Sequence, residues 1–129
     1  MKYLQYFNES KKNKPNYQEL KIGDFKCFRG RDAESNEYIT FQLADDNDLW
    51  FHAKGVPGSH FIIKVDDKLV TPEIIKEVAQ IVAKNSKTTQ KEVIVIYCQR
   101  KFVKKDPGAN LGKVQVDYIN SEQITVYMD

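Results

Sequence analysis

The chain has 129 residues and a mass of 15.0 kDa, a size that fits a single domain. Hydrophobic residues make up 41% and charged residues 29%, a composition typical of a globular protein rather than a disordered or membrane one. The 20 Lys and Arg and the 18 Asp and Glu give a formal net charge of +2, which excludes a histone-like polybasic protein. A net charge does not tell where the charges lie, so local basicity stays possible.

Neither a membrane span nor a secretory signal is expected from the sequence. The longest purely apolar run covers residues 93–98, far short of the ~18 residues that a spanning helix requires. The first residues contain no long apolar centre and no small-residue cleavage site. We therefore expect a cytoplasmic protein in which Cys27 and Cys98 are reduced thiols rather than a disulfide.

The first predicted hairpin follows a polar N-terminal segment. Residues 8–16 are charged and polar and contain Pro15, so residues 1–16 are interpreted as a flexible arm or an edge strand before a domain at 17–129. Residues 17–29 are typical of a hairpin. Gly23 and Asp24 would form its two-residue turn, of the type that has Gly first.

Two main helices are predicted. Asp32 is placed as an N-cap, and apolar residues recur near helical spacing after it, which predicts a helix over about 32–44. Thr71 and Pro72 are typical of a helix start, with Thr as the cap and Pro at the first helical position. Apolar residues then recur with the helical period from Ile74 to Val82, which predicts the second helix over about 72–85.

The other segments favour strands. Residues 48–54 and 60–65 alternate in polarity around the loop 55–59, and residues 91–98 form an apolar run typical of a buried strand. A further strand is predicted over 100–104, and a closing hairpin over 114–118 and 123–127. This order of elements predicts a single α+β domain with a mostly antiparallel mixed sheet.

Both histidines of the chain lie on one face of the hairpin predicted for residues 48–65. The cross-strand pairs expected from a loop that closes symmetrically about Val56 are His52 with His60, Trp50 with Ile62, and Asp48 with Lys64. The opposite face is wholly apolar and is expected to pack inward.

Three interpretations of the face with the histidines stay open. Both histidines can be structural and hydrogen-bond the tight Pro-Gly loop. The face can instead bind a ligand, with Trp50 as a stacking plane and the imidazoles as donors to a phosphate or a base. The least favoured alternative is a metal or acid–base site on His52, His60 and Asp48, because Lys64 is already the expected partner of Asp48. No phosphate loop, C-x-x-C pair or nucleophile elbow is present in the sequence.

The charges are unevenly distributed along the chain. Residues 84–113 contain eight cations and two anions, a net of +6, and the remainder has 12 cations and 16 anions, a net of −4. The cations of this segment surround a glycine-containing loop whose backbone amides favour an anion. Arg29 and Arg31, on either side of Gly30, form a second small cationic site.

Several motifs together resemble a known family. They are G-R-D-A-E-S-N-E-Y-I-T at 30–40, D-L-W-F-H at 48–52, P-G-S-H at 57–60, V-K-K-D-P-G-A at 103–109 and G-K-V at 112–114. Their combination resembles the NFACT-R domain, the RNA-binding domain near the C-terminus of the NFACT proteins. Those proteins include ribosome-quality-control factors and bacterial proteins once named for fibronectin binding. The resemblance covers about residues 17–129 and implies a stand-alone NFACT-R protein.

The resemblance and the residue patterns together predict a non-enzymatic RNA-binding protein with no cofactor, no metal and no membrane partner. It would recognise structured RNA, such as tRNA or ribosomal RNA, in translation or ribosome quality control. The candidate contacts are Arg31, Asn36, Trp50, His52, Pro57, Gly58, Ser59, His60, Lys104 and Lys105.

Other functions remain as alternatives. The face with Trp50 and His52 could be a protein-interaction surface that docks on the ribosome or on another partner. DNA is a third possible ligand, because a surface that binds phosphate need not require a 2′-hydroxyl. No pattern in the sequence indicates an oligomeric state.

Overall fold

The computed structural model describes residues 15–108 and 111–128; the arm or edge strand predicted for the N-terminus falls almost wholly on residues 1–14, outside them. Eight strands lie in the described chain: β1 Tyr17–Ile22, β2 Phe25–Gly30, β3 Leu49–Ala53, β4 Phe61–Ile63, β5 Glu92–Gln99, β6 Val103–Lys105, β7 Val114–Val116 and β8 Glu122–Tyr127. Six of them form an antiparallel sheet in the order β1-β2-β4-β3-β5-β8, and β6 pairs with β7 in a small second sheet. The predicted α+β class is confirmed.

The helices begin where the sequence predicts. Helix α1 covers Ala33–Tyr38, and the Asp32 carboxylate accepts the backbone N–H of Ser35 at 2.8 Å as its N-cap. A π-helical turn, Ile39–Leu43, continues the segment, so the predicted single helix over 32–44 is two short pieces. Helix α2 covers Pro72–Lys84 with Thr71 as its N-cap, close to the predicted 72–85.

The register predicted for the central hairpin is confirmed. Trp50 pairs with Ile62 and Phe51 pairs with Phe61 across β3 and β4. Beyond the strand ends, the Lys64 ammonium lies 2.6 Å from a carboxylate oxygen of the buried Asp48. Alternation along the two strands, together with a loop that closes about Val56, was therefore sufficient to pair them.

Both faces of the large sheet are covered, and each has its own hydrophobic cluster. On one face α2 packs against β3, β5 and β8, with Phe51, Phe61 and Val95 in the cluster. On the other face the cluster contains Trp50, Ile62, Ile39, Ile96 and Val103, which come from β3, β4, the π-helical turn, β5 and β6. The wholly apolar face packs inward as predicted, but the face that carries Trp50 is buried as well.

The predicted C-terminal hairpin is wrong. β8 pairs with β5, with Val93 opposite Val126, while β7 pairs with β6. A 3-10 turn, Tyr118–Asn120, separates β7 from β8, and the Asp117 carboxylate caps it by accepting the backbone N–H of Ile119 at 3.1 Å. This turn takes the chain from the small sheet to the large one.

The strand predicted over 100–104 is also only partly correct. Arg100–Phe102 form a 3-10 turn, and a strand begins at Val103. The backbone N–H groups of Arg100 and Lys101 donate to the carbonyl oxygens of Asp48 and Asp46, at 2.8 and 3.0 Å. These bonds turn the chain away from the sheet before β6 starts.

Cys27 and Cys98 are both free thiols and both buried, as predicted. They lie in the clusters on opposite faces of the large sheet. Burial raises the pKa of Cys27 to about 12 and that of Cys98 to about 11, so both thiols are protonated and unreactive at neutral pH. Across the described residues, no helix is long and apolar enough to cross a membrane.

Candidate nucleic-acid interface

A groove of about 660 Å³ opens where four segments of the chain meet. Its walls are the end of β2 and the start of α1, the loop 54–60, the end of α2 with Lys87, and the segment 111–118. Gly112 brings the last of these close to α1: it has a φ of +83°, and a Cβ placed there would lie 3.2 Å from the Cα of Ala33. A larger residue would be strained by its backbone and would push the two walls apart.

The Pro-Gly-Ser-His loop is held against α1 by the side chain of Asn36. The Asn36 amide oxygen accepts the backbone N–H of His60 at 2.9 Å, and its amide nitrogen donates to the carbonyl oxygen of Gly58 at 3.2 Å. Gly30 leaves room for this amide, since a Cβ there would lie only 1.9 Å from the Asn36 oxygen. Asn36 lines the groove, but its polar atoms are used to fix the loop.

His60, the last residue of this loop, is itself buried. Its Nδ1 lies 3.0 Å from the hydroxyl oxygen of Thr40, a residue of the π-helical turn, and only 2% of the residue is exposed. Burial, and then the nearby His52, lower the pKa of His60 to about 3. His60 is therefore neutral at physiological pH and acts as a packed support beneath the groove.

His52 lies closer to the groove than His60. It is half-buried and lines the groove, and its ring centre is 5.0 Å from that of His60. Its Nδ1 lies 3.4 Å from the carbonyl oxygen of Ser59. Burial lowers the pKa of His52 as well, so both imidazoles are held in the uncharged form.

Trp50 does not offer a stacking plane, contrary to the expectation from the sequence. The residue is fully buried, with 0% exposure, and its ring packs edge-on against His60 at a centroid distance of 5.2 Å. The strand alternation placed it correctly on the face with the histidines. That face is covered by the π-helical turn and by β6, which removes the indole from any ligand.

Five cations line the groove: Arg29, Arg31, Lys54, Lys87 and Lys113. None of them forms a salt bridge with a carboxylate of the described residues. Two carboxylates share the groove, and the one of Asp32 is already used as the α1 cap. The groove therefore concentrates unpaired positive charge, which favours an anionic ligand.

Lys104 and Lys105 lie outside this groove. Both are exposed residues of β6, and the Lys105 ammonium is 3.2 Å from a carboxylate oxygen of Glu37. Of the eight cations between Lys84 and Lys113, only Lys87 and Lys113 line the groove. The positive segment of the sequence is thus divided between several surfaces.

Several groove residues, among them Tyr118 and Lys54, are not among the contacts predicted from the sequence. Tyr118 lines the groove with 56% of its surface exposed, and the Lys54 ammonium lies 5.6 Å from the centre of its ring. The sequence predicts a strand over 114–118, so the exposure of Tyr118 does not follow from the sequence. The signal that could have identified it is the Asp117-x-x-Asn120 sequence, which is typical of a capped turn: the Asn120 amide donates to Asp117 at 2.8 Å.

The remaining loop residues of the prediction lie at the groove. Pro57, Gly58 and Ser59 line it together with Arg31. The Ser59 hydroxyl accepts a hydrogen bond from the Arg29 guanidinium at 3.2 Å. Within the part of the chain that the structure describes, no group of three or more His, Cys, Asp or Glu side chains is arranged to hold a metal ion.

Comparison with protein families finds a match over most of the chain. The sequence model of the family described as "NFACT protein RNA binding domain" matches residues 7–124. This range includes every groove residue named above.

Curated relatives match over shorter parts of the chain. The "Rqc2 homolog RqcH" of Bacillus subtilis (strain 168) is 35% identical over 89 residues, which are 68% of this chain and 15% of the relative. The "Rqc2 homolog RqcH" of Streptococcus suis is 31% identical over 86 residues, 66% of this chain and 15% of that protein. The chain therefore aligns with about one-seventh of the length of these relatives.

A solved structure has the same fold. The C-terminal part of the fibronectin/fibrinogen-binding protein from Streptococcus suis superimposes with a TM-score of 0.78 at 27% sequence identity. The match covers 91% of this chain and 47% of that one.

Proposed function

Because the chain belongs to the NFACT protein RNA binding domain family, we propose that it binds RNA through the cationic groove between the Pro-Gly-Ser-His loop and α1. The observation that carries this proposal is the set of five groove cations, none of them paired with a carboxylate of the described residues. Unpaired Lys and Arg side chains bind the phosphates of a nucleic acid and release its counterions.

Each wall of the groove supplies a different kind of contact. Arg31, Lys87 and Lys113 would neutralise phosphates, and Tyr118 would stack on an unpaired base, a contact worth about 1–3 kcal/mol per base. Pro57, Gly58 and Ser59 would shape the wall through the bonds that Asn36 makes to the loop. Lys104 and Lys105 would form a second, weaker phosphate contact on β6.

The ligand that fits these phosphate and stacking contacts is structured RNA with an accessible single-stranded segment, such as tRNA or ribosomal RNA. Cations that contact the backbone recognise shape, while one exposed aromatic ring needs a base that is free to stack. The names of the relatives suggest the context of ribosome quality control. We propose that the protein has this role without being an enzyme, because RNA binding requires contacts but no catalytic group. The family description names RNA, and no relative gives support to the DNA alternative.

Salt titration of RNA affinity tests the proposal. Four phosphate contacts predict a log–log slope of about −3 on single-stranded RNA, and each contact removed should reduce its magnitude by about 0.7. Arg31→Glu and Lys113→Glu should each weaken binding and flatten the slope. The matched control is Lys76→Glu, which makes the same change of charge on an exposed residue of α2 outside the groove.

Two outcomes would contradict the proposal. If Lys76→Glu weakens binding as much as Lys113→Glu, the attraction is nonspecific and the groove is not the site. If neither groove variant changes RNA affinity while the chain still sediments with ribosomes, the protein-docking alternative is correct. A Lys104→Glu/Lys105→Glu variant measures the contribution of β6 separately.

A further inference from the structure

The hydrogen-bonding state of His52 follows from the loop beside it. Its Nδ1 lies 3.4 Å from the carbonyl oxygen of Ser59. A carbonyl oxygen can only accept, so this contact is a hydrogen bond in the tautomer that carries the proton on Nδ1. In a neutral imidazole the other nitrogen, Nε2, is then a hydrogen-bond acceptor. No donor of the described residues hydrogen-bonds to Nε2.

The surroundings keep His52 neutral. Burial disfavours the charged form and lowers its pKa, and Arg29 and Lys54 already place positive charge along the same groove. The ring of His60, 5.0 Å away, leaves little room for a water shell around an imidazolium. His52 therefore presents to this cationic groove a ring nitrogen that accepts rather than donates.

We propose that Nε2 of His52 accepts a hydrogen bond from the nucleic acid and so selects a ligand with a donor at that point. The inference rests on the proposed RNA-binding function and gives one residue of the groove a role in specificity. A phosphodiester has no hydrogen-bond donor, so His52 does not contact phosphate as the neighbouring cations do. The donors that RNA offers are the ribose 2′-hydroxyl and the N–H groups of its bases, and DNA has only the second kind. In an oligoadenylate the base donor is the amino group of adenine.

The two sources of the donor are separated by modified oligomers. One arm compares an oligoadenylate RNA with the same sequence carrying 2′-fluoro groups, which removes the hydroxyl donor and keeps the base. The other arm compares it with an RNA of unsubstituted purine, which removes the amino donor and keeps the ribose. Loss of one neutral hydrogen bond should weaken binding by about three- to tenfold in one arm.

The variant that assigns this loss to His52 is His52→Asn. The Asn amide nitrogen can replace Nδ1 as the donor to Ser59, while nothing replaces Nε2. The variant should bind the unmodified RNA about three- to tenfold more weakly and should no longer distinguish it from the modified RNA. His52→Gln, whose amide oxygen reaches about the position of Nε2, should recover part of the discrimination. Lys113→Glu is the control: it should weaken all oligomers alike and keep their ratios unchanged.

The outcomes separate this inference from the proposed function. The acceptor role is supported if the wild-type protein binds one of the modified oligomers more weakly than the unmodified RNA and a folded His52→Asn protein does not. The modification that weakens binding then identifies the donor. Equal affinity of the wild-type protein for all three oligomers, or discrimination that survives in His52→Asn, would overturn it. If the wild-type protein binds no RNA at all, the proposed function fails instead.

Discussion

His60 should make the stability of the fold depend on pH. Its pKa is about 3 in the folded protein against an ordinary value of 6.5, so the unfolded chain takes up a proton in a pH range where folded His60 stays neutral. The free energy of unfolding therefore falls as the pH is lowered from about 6.5 towards about 3. Between pH 7.5 and 5.5 the linkage relation gives a loss of about 1 kcal/mol from this one residue.

Urea unfolding at these two pH values measures the loss. In His60→Asn the loss should shrink by about 1 kcal/mol, because Asn does not titrate while its amide can still hydrogen-bond Thr40. His52→Asn removes the other histidine, whose pKa is also lowered by burial. It should therefore leave the His60 contribution in place.

The reasoning is refuted if wild type and His60→Asn lose equal stability between pH 7.5 and 5.5. A direct check is the NMR titration of the His60 ring, whose chemical shifts should stay constant from pH 7.5 to below pH 5. An inflection near pH 6.5 would mean that water reaches the ring. In that case the His60 ring would not be shielded from water beneath the groove.

The remaining predictions concern other residues that stabilise the fold or are buried in it. Lys64→Met should lower the free energy of unfolding by about 3 kcal/mol, because it leaves the buried Asp48 carboxylate without its cation; Lys68→Met, an exposed control, should change it far less. Gly30→Ala should cost about 1–3 kcal/mol, measured as a lower Tm, because its Cβ would displace the Asn36 amide. Trp50 is the single Trp of the chain, so iodide should fail to quench its fluorescence in the folded protein.

The parts of the fold that the sequence predicted are those determined locally. The pairing of Trp50 with Ile62 follows from alternation in two strands around a short loop, and the start of α2 follows from Thr71 and Pro72. In both cases the residues that determine the structure lie within one turn or one hairpin. No knowledge of distant segments was needed.

The parts that were missed depend on distant segments. Trp50 was expected at the surface because its strand face carries polar residues, and the elements that bury it lie elsewhere in the sequence. The partner of β8 is β5, more than 20 residues away, whereas a short connection favoured pairing with β7. Local alternation cannot predict which strand becomes the neighbour of another.

The position of the cationic surface could not be predicted from local sequence either. The cationic segment of the sequence predicted a basic surface, yet the groove takes only Lys87 and Lys113 from it and adds Arg29, Arg31 and Lys54 from other elements. A sum over consecutive residues cannot show which cations are paired. Lys105, one of the predicted contacts, forms a salt bridge with Glu37.

The groove residues divide into two groups whose variants should behave differently. Asn36 and His60 are bonded within the protein, so removing either should lower stability and should weaken RNA binding only by disturbing the loop. Arg31 and Lys113 are exposed and have no carboxylate partner in the described chain, so removing either should weaken binding at nearly unchanged Tm. If the Asn36 variant keeps the wild-type Tm and still loses RNA affinity, its amide contacts the ligand directly and the division is wrong.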